Sequence, residues 1–214
     1  MKSELDALMQ TRNLDAIIVF GNAEHNPPMT YLTGGGHVSH ATLIKRRGEL
    51  AVFFFGDMER DEAAKSGLKL IPYSKYDYEA LLEKANKDSL LAGAFRCELM
   101  FNDVGVTSGR VGIYGTYDLS AIIGLLSHLK KLMPKIEFVG EAREDSLFMR
   151  AMETKDENEV AGIRSRLTQL PPIADPAREE RPRDAAGFDG LSLALRGTPG
   201  TYIVQIGTRS VEDF

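Results

Sequence analysis

The chain has 214 residues, of which 43% are hydrophobic and 27% are charged, the composition of a globular protein that can bury a core. Its formal net charge of -5 gives no electrostatic reason to expect a nucleic-acid partner. No apolar run approaches the roughly 20 residues of a membrane helix, and the N-terminus lacks the apolar core of a signal peptide. The single cysteine, Cys97, excludes an internal disulfide and a cysteine zinc cluster. We therefore expect a cytoplasmic protein with neither a membrane nor a nucleic acid as partner.

Hydrophobic patterning in the first third of the chain predicts alternating helices and strands. The apolar, β-branched run at residues 15–20 is typical of a strand buried on both faces. We expect residues 21–28 to be irregular, because Pro27 and Pro28 remove two amide donors. Two apolar runs on either side of residues 46–48 predict a β-hairpin. The predicted elements of this part are a helix at 4–12, strands at 15–20, 41–45 and 49–55, a helix at 58–66 and a strand at 69–72.

The strongest helix signal lies in the second part of the chain. Apolar residues recur at helical spacing from Leu119 to Met133, and Pro134 ends the pattern. Thr154 and Glu157 have the spacing of a capping box and predict the start of a further helix. Helices that alternate with strands indicate an α/β domain around one sheet, which the hairpin makes partly antiparallel. The predicted elements of this part are helices at 76–85, 88–103, 119–133 and 155–164 and strands at 109–114 and 136–139.

Amino-acid usage changes near residue 165. All 11 lysines lie at or before Lys155, and the last quarter of the chain contains five of the nine prolines. Enrichment in Arg, Pro, Ala and Gly with loss of Lys is what translation of a GC-rich gene in a shifted frame would produce. We therefore predict a domain at residues 1–164 and an atypical Pro/Arg-rich tail at 165–214 that is a frameshift product. The alternative is a natural proline-rich linker that leads to a small β segment at 201–206.

The sequence contains none of the common catalytic motifs: no GxxxxGK[ST] phosphate loop, no GxGxxG after a strand, no HExxH and no GxSxG. Acidic clusters at 57–62 and 141–145 stand at the starts of helical segments, where carboxylates complement the helix dipole. Cys97 follows Arg96 on a predicted helix, and because neighbours on a helix point apart, we expect a buried, inert thiol. We therefore predict no catalytic residue in this chain.

Two histidines, His37 and His40, follow a run of three glycines and precede the predicted strand at 41–45. Their spacing is compatible with one metal ion, but no further ligands lie near them in the sequence, so we predict no metal site. We interpret both as loop residues that are either inert or presented to a ligand or a partner chain. His25 lies in the proline-containing segment and His128 on the long helix, and neither position favours a special role.

Five phrases of the sequence form an ordered set: Leu14-Asp-Ala-Ile-Ile-Val19, Asn26-Pro-Pro-Met-Thr-Tyr-Leu-Thr-Gly34, the hairpin at 43–55, Arg110-Val-Gly-Ile113, and residues 149–164. Together they resemble the N-terminal domain of the creatinase, prolidase and aminopeptidase P family. In the family the last phrase leads into the catalytic domain; here its Lys and Thr are exchanged, at Thr154-Lys155. The resemblance implies a three-layer α/β domain with a mixed, mostly parallel sheet and helices on both faces, followed here by an irregular C-terminal tail.

The resemblance also implies the chemistry of a parent enzyme. Family members carry a C-terminal catalytic domain that holds two divalent metal ions (Mn, Co or Zn) and hydrolyses the peptide bond before proline. Its ligands are two aspartates, a histidine and two glutamates, whereas the tail beyond Arg164 contains no histidine and is too short to enclose such a centre. We therefore expect no cofactor in this chain, and a peptide substrate only in a full-length parent.

The resemblance further implies a non-catalytic role in dimerisation and in access to the active site, with a homodimer or the catalytic domain as partner. In the family the loop after the tyrosine-containing phrase reaches toward the active site of the neighbouring subunit. Here that loop comprises residues 35–40, so Tyr31, His37, Ser39 and His40 are the predicted substrate- or partner-contacting residues. Two alternatives stay open: a stand-alone protein-interaction module of the same fold, and a fragment of a creatinase-like amidinohydrolase.

Overall fold

A computed structural model describes residues 4–23, 25–35, 37–142 and 145–153, together with the backbone of 194–196 and 203–205. The chain divides into two units, Met1–Gly162 and Ile163–Phe214. The predicted helix at 155–164 and its capping box lie outside the described residues.

The predicted helices and strands of the first unit are present within its described residues, and their observed ends differ from the predicted ones by a few residues. The predicted helix at 58–66 is a 3-10 turn (Asp57–Glu59) followed by a short α-helix. In chain order the elements are α1 (Glu4–Thr11), β1 (Ala16–Phe20), α2 (Pro27–Thr33), β2 (Ala41–Arg46), β3 (Val52–Phe55), α3 (Arg60–Ala64), β4 (Lys69–Pro72), α4 (Tyr78–Lys84), α5 (Ser89–Val104), β5 (Gly109–Gly115), α6 (Leu119–Leu132), β6 (Ile136–Val139) and α7 (Leu147–Glu153).

In the second unit the structure describes one antiparallel strand pair. Ala194–Arg196 (β7) pairs with Ile203–Gln205 (β8), and β8 falls inside the β segment considered at 201–206. Strand pairing is compatible with either origin of the tail, so the frameshift hypothesis stays a prediction.

The prediction that residues 21–28 are irregular is wrong at its C-terminal end. Helix α2 begins at Pro27, with the two prolines in its first turn and Asn26 as the residue before it. The first amide groups of a helix have no acceptor inside the helix, so proline loses no hydrogen bond there, and its fixed φ suits the first turn. A proline pair therefore starts this helix.

The first unit is built on a six-stranded sheet with the order β4-β3-β2-β1-β5-β6. Strand β1 pairs antiparallel with β2 and parallel with β5. The hairpin β2-β3 is antiparallel, whereas β3-β4 and β5-β6 are parallel. The predicted mixed, mostly parallel sheet is thus confirmed.

Two apolar cores cover the two faces of this sheet. On one face, Ile18 and Phe20 of β1 pack with buried residues of α5 and α6 such as Phe101 and Leu129. On the other face, Ile17 and Val19 pack with residues of α1, α2, α3 and α7. The arrangement is a three-layer α/β domain, as predicted. Among the described residues, no helix combines the length and the apolar character needed to cross a bilayer.

One charged side chain is fully buried in this layer structure. The Lys45 ammonium of β2 lies 2.8 Å from Oδ1 of Asp6 in α1 and donates a hydrogen bond of 2.8 Å to the carbonyl oxygen of Glu49. Burial disfavours the charged Asp6 carboxylate, but hydrogen bonds from Lys45 and from the Gly48 amide outweigh it, so the pKa of Asp6 lies below its ordinary value. The pair therefore links α1 to the β2-β3 hairpin.

Substitution of Asp6 tests this link. Asp6→Asn keeps the shape of the side chain but leaves the buried Lys45 ammonium without its counter-ion. Breaking a fully buried pair costs about 3–5 kcal/mol. Because the Asp6 side chain is 31% exposed, we expect a loss of about 1–3 kcal/mol in the free energy of unfolding, measured by urea denaturation.

The double variant Asp6→Asn/Lys45→Met is the control, because removal of both charges leaves no buried ion and should restore most of the lost stability. The pH dependence gives a second measure. Since the folded pKa of Asp6 is lowered from 3.8, its contribution is complete above that value and is lost as the pH falls through the folded pKa. The stability gap between wild type and Asp6→Asn should therefore shrink in acid; a gap that is constant with pH contradicts the ion pair.

Candidate functional site

The predicted contact loop begins where α2 ends. Gly34 has φ +78° and its amide donates to the Thr30 carbonyl, and Gly35 has φ +92°. These left-handed conformations favour glycine, so the glycine run both terminates the helix and turns the chain away from it. Residues 37–40 then lead directly into β2.

The backbone of this loop is held at three points. Val38 is buried, and its carbonyl accepts a hydrogen bond of 2.8 Å from the Ala23 amide. Oε1 of Glu59 accepts bonds of 2.7 Å from both the amide and the hydroxyl of Ser39. The His37 amide donates to Oε2 of Glu62 at 3.4 Å. The loop is therefore anchored to the segment at the start of α3.

The four predicted contact residues do not share one environment in the structure. His37, Ser39 and His40 are exposed on the anchored loop. Tyr31 is half-buried on α2, where its ring meets Phe148 of α7 edge-on at a centroid distance of 5.8 Å. Tyr31 thus helps to pack α2 against α7, whereas the other three predicted residues lie on the loop.

A cavity of about 200 Å³ adjoins the loop, and His40 is among its lining residues. The same cavity contains Arg96, whose guanidinium lies 4.7 Å from the ring centroid of Tyr73 and 4.9 Å from that of Tyr78. Tyr117 also lines it. Sequence reasoning missed these residues as a site, because they come from four separate segments and share no motif.

The buried thiol of Cys97 also borders this cavity. Burial raises its pKa to about 11, although the neighbouring Arg96 charge acts in the opposite direction. A buried thiol with a raised pKa is a poor nucleophile at neutral pH. The predicted burial of Cys97 is confirmed, and its inertness stays a prediction.

The acidic residues near 141 have a structural role. Glu141 pairs with Arg12 at 2.9 Å, and its second oxygen accepts bonds from the Tyr114 hydroxyl at 2.6 Å and the Leu147 amide at 2.8 Å. Burial, together with this hydrogen bond, raises the pKa of Tyr114. Glu141 therefore ties the start of α7 to α1 and β5, as expected of a carboxylate at a helix N-terminus.

The described residues do not fit the two-metal centre of the family's catalytic domain. Among them, no three His, Cys, Asp or Glu side chains come together as a set that could hold a metal ion. The carboxylates of Glu59 and Glu62, which lie next to the loop histidines, are engaged with loop amides. No step of a metal-dependent reaction is assigned to these residues.

Comparison with solved structures gives the following likenesses. A dipeptidase from Pyrococcus horikoshii OT3 matches at 15% identity and a TM-score of 0.48, over 81% of this chain and 45% of that one. The N-terminal domain of an Xaa-Pro dipeptidase from Lactobacillus brevis matches at 12% identity and a TM-score of 0.42, and the match covers 71% of this chain and 100% of that one. The creatinase/prolidase N-terminal domain of an X-Pro dipeptidase from Streptococcus pyogenes matches at 12% identity and a TM-score of 0.40, and the match covers 65% of this chain and 94% of that one. Two of these three solved structures are N-terminal domains of Xaa-Pro dipeptidases.

The likeness has a limited reach. No family model matches the sequence, and no curated protein matches it. The chain spans less than half the length of the Pyrococcus horikoshii dipeptidase.

Loss of the Glu59 anchor should loosen the loop. In Glu59→Ala the Ser39 amide loses its acceptor, so its hydrogen exchange should accelerate by about two- to tenfold. Asp61→Ala is the matched control, because this neighbouring carboxylate accepts none of the hydrogen bonds recorded for the described loop residues, which go to Glu59 and Glu62. Equal exchange of the Ser39 amide in the two variants would show that Glu59 does not hold the loop.

Proposed function

We propose that this chain supplies the non-catalytic N-terminal domain of an Xaa-Pro-type metallopeptidase. The parent activity would be metal-dependent hydrolysis of the bond before proline in short peptides. The proposal is supported by the ordered phrases of residues 14–164, which overlap β1, α2, the β2-β3 hairpin, β5 and α7. In this role the domain serves dimerisation and access to the active site and supplies no nucleophile.

The observation that carries the proposal is the anchored loop. His37 and His40 present exposed imidazoles, which can donate and accept hydrogen bonds, from a backbone fixed by Val38 and by two glutamates. A loop that is already ordered loses less entropy when it binds than a free one does. These features suit polar contacts to a short peptide or to the subunit that binds it.

A peptide titration tests the loop. The ¹⁵N-labelled chain is titrated with the dipeptide Leu-Pro, and we expect the amide signals of residues 37–40 to shift. His37→Ala should weaken this binding by about two- to tenfold, the effect of one lost hydrogen bond. His25→Asn is the control, because His25 is exposed outside the loop and its φ of +53° is tolerated by asparagine.

Two outcomes contradict the proposal. If Leu-Pro leaves the signals of residues 37–40 unchanged at saturating concentration, the loop does not contact such peptides. If the purified chain hydrolyses Leu-Pro in the presence of Mn²⁺, the domain is not a non-catalytic one.

A second candidate function is protein interaction by the same fold, and helix α6 favours it. Leu119 and Ile123 are four residues apart on α6 and expose 72% and 58% of their surface, and Tyr117 just before the helix exposes 53%. Residues at i and i+4 share one face of a helix, so these apolar side chains form a patch that a partner could cover. A second copy of this chain is the partner we propose.

Introduction of charge into this patch tests the interaction. Leu119→Glu/Ile123→Glu should raise the dissociation constant of a homodimer at least about tenfold in sedimentation equilibrium, because two charges would be buried without partners. Leu99→Glu, at a 40% exposed apolar position on α5, is the matched control. A monomeric wild type, or equal association of all three proteins, rules out a dimer through α6.

A further inference from the structure

The cavity that borders the contact loop lies at a defined edge of the sheet. Phe20 at the end of β1 is paired with Gly115 at the end of β5 and with Thr42 at the start of β2. Through β3 the same edge continues to Pro72 at the end of β4. The carboxyl ends of β1, β4 and β5 therefore meet at one edge, which is where open α/β sheets bind ligands.

Two glycines bring the chain close together at this edge. A Cβ on Gly115 would collide with the carbonyl oxygen of Phe20, and a Cβ on Gly21 with that of Thr116. Both residues also have φ of +106°, which glycine adopts without strain. The ends of β1 and β5 can thus lie against each other beneath the cavity.

Arg96 provides the only permanent charge among the described residues that line this cavity. Its guanidinium is held over the rings of Tyr73 and Tyr78 by cation–π contacts. Within the described part of the chain it has neither an ion pair nor a hydrogen bond from its N–H donors. An arginine that is positioned by rings, with no acceptor for its donors among the described residues, is prepared to receive an anion.

The tyrosines around Arg96 are themselves positioned. The Tyr73 hydroxyl donates to Oγ1 of Thr42 at 2.8 Å, which fixes the ring below the guanidinium. Leu90 and Leu125 contribute apolar surface to the same wall. The cavity therefore combines one cation with aromatic and aliphatic walls.

Size and charge together limit the ligand. A volume of about 200 Å³ admits a molecule the size of one amino acid. A single guanidinium balances one negative charge, and a second charge inside the cavity would stay without a partner. The bidentate geometry of a guanidinium matches a carboxylate.

We infer that this cavity binds a monocarboxylate with a small apolar body, with Arg96 as the carboxylate partner and Tyr78 and Tyr117 beside the apolar part. The ligand is either a free small acid or the carboxyl terminus of a peptide, since both present the same chemistry. The inference goes beyond the proposed function and does not depend on it, because it requires neither the exposed His37 nor a catalytic domain.

Calorimetric titration of the full chain with 4-methylpentanoate tests the inference. We expect saturable binding, and binding at least about tenfold weaker for the neutral 4-methylpentanamide. Arg96→Met, which keeps a long apolar side chain but removes the charge, should weaken binding of the acid by a similar factor. Arg60→Met is the matched control, since Arg60 lies on α3 outside the cavity.

Other measurements keep the test decisive if Arg96→Met fails to fold. The comparison of acid with amide uses the unchanged chain. Tyr117→Ala removes a half-exposed ring from the cavity wall and should weaken binding of the acid. Equal binding of acid and amide, no binding of the acid, or full affinity in a folded Arg96→Met variant each overturns the inference.

Two further probes distinguish the possible sources of the carboxylate and test its preference over phosphate. Tighter binding of N-acetyl-glycyl-leucine than of 4-methylpentanoate identifies a peptide carboxyl terminus as the ligand, and the reverse order identifies a free acid. Inorganic phosphate should bind more weakly than either, and preferential phosphate binding overturns the assignment to a carboxylate. Loss of the Leu-Pro response in His37→Ala with unchanged 4-methylpentanoate binding would show that the loop and the cavity act separately.

Discussion

Strand β1 is the element on which the rest of the domain depends. Its five residues are buried, and alternate side chains enter the two different cores. Burial of each large apolar side chain contributes about 1.5–3 kcal/mol to the stability of the fold. Because side chains of β1 enter both cores, this one short strand stabilises the packing of both helical layers. The strand also sets the topology, since it pairs antiparallel with β2 on one side and parallel with β5 on the other.

The position of β1 explains why both candidate sites lie at one edge of the sheet. The chain leaves β1 at Phe20, passes through α2 and the glycine-rich loop, and returns into β2 at the same edge. The anchored loop and the Arg96 cavity are therefore neighbours, with His40 common to both. The loop offers hydrogen-bonding groups to solvent, whereas the cavity offers a cation among aromatic rings.

Local sequence was enough to predict most elements because their signals are local. The apolar run at 15–20, the hairpin and the long α6 pattern each depend on neighbours within a few residues. The start of α2 at Pro27 could not be predicted in the same way, because a proline pair suits both an irregular segment and a first helical turn. What selects the helix is the packing of Met29 and Tyr31 against the sheet and α7.

The sequence by itself determined the alternation of helices and strands, the buried cysteine and the phrases that resemble a known family of N-terminal domains. It also located the loop at 35–40, since glycine runs and polar residues mark a loop without reference to the fold. Only the tertiary structure decided that Glu59 and Glu62 anchor that loop and that Arg96 meets Tyr73 and Tyr78. Such contacts join residues that are distant in the chain, and their geometry arises from strand pairing and helix packing, which a single sequence does not encode in any local pattern.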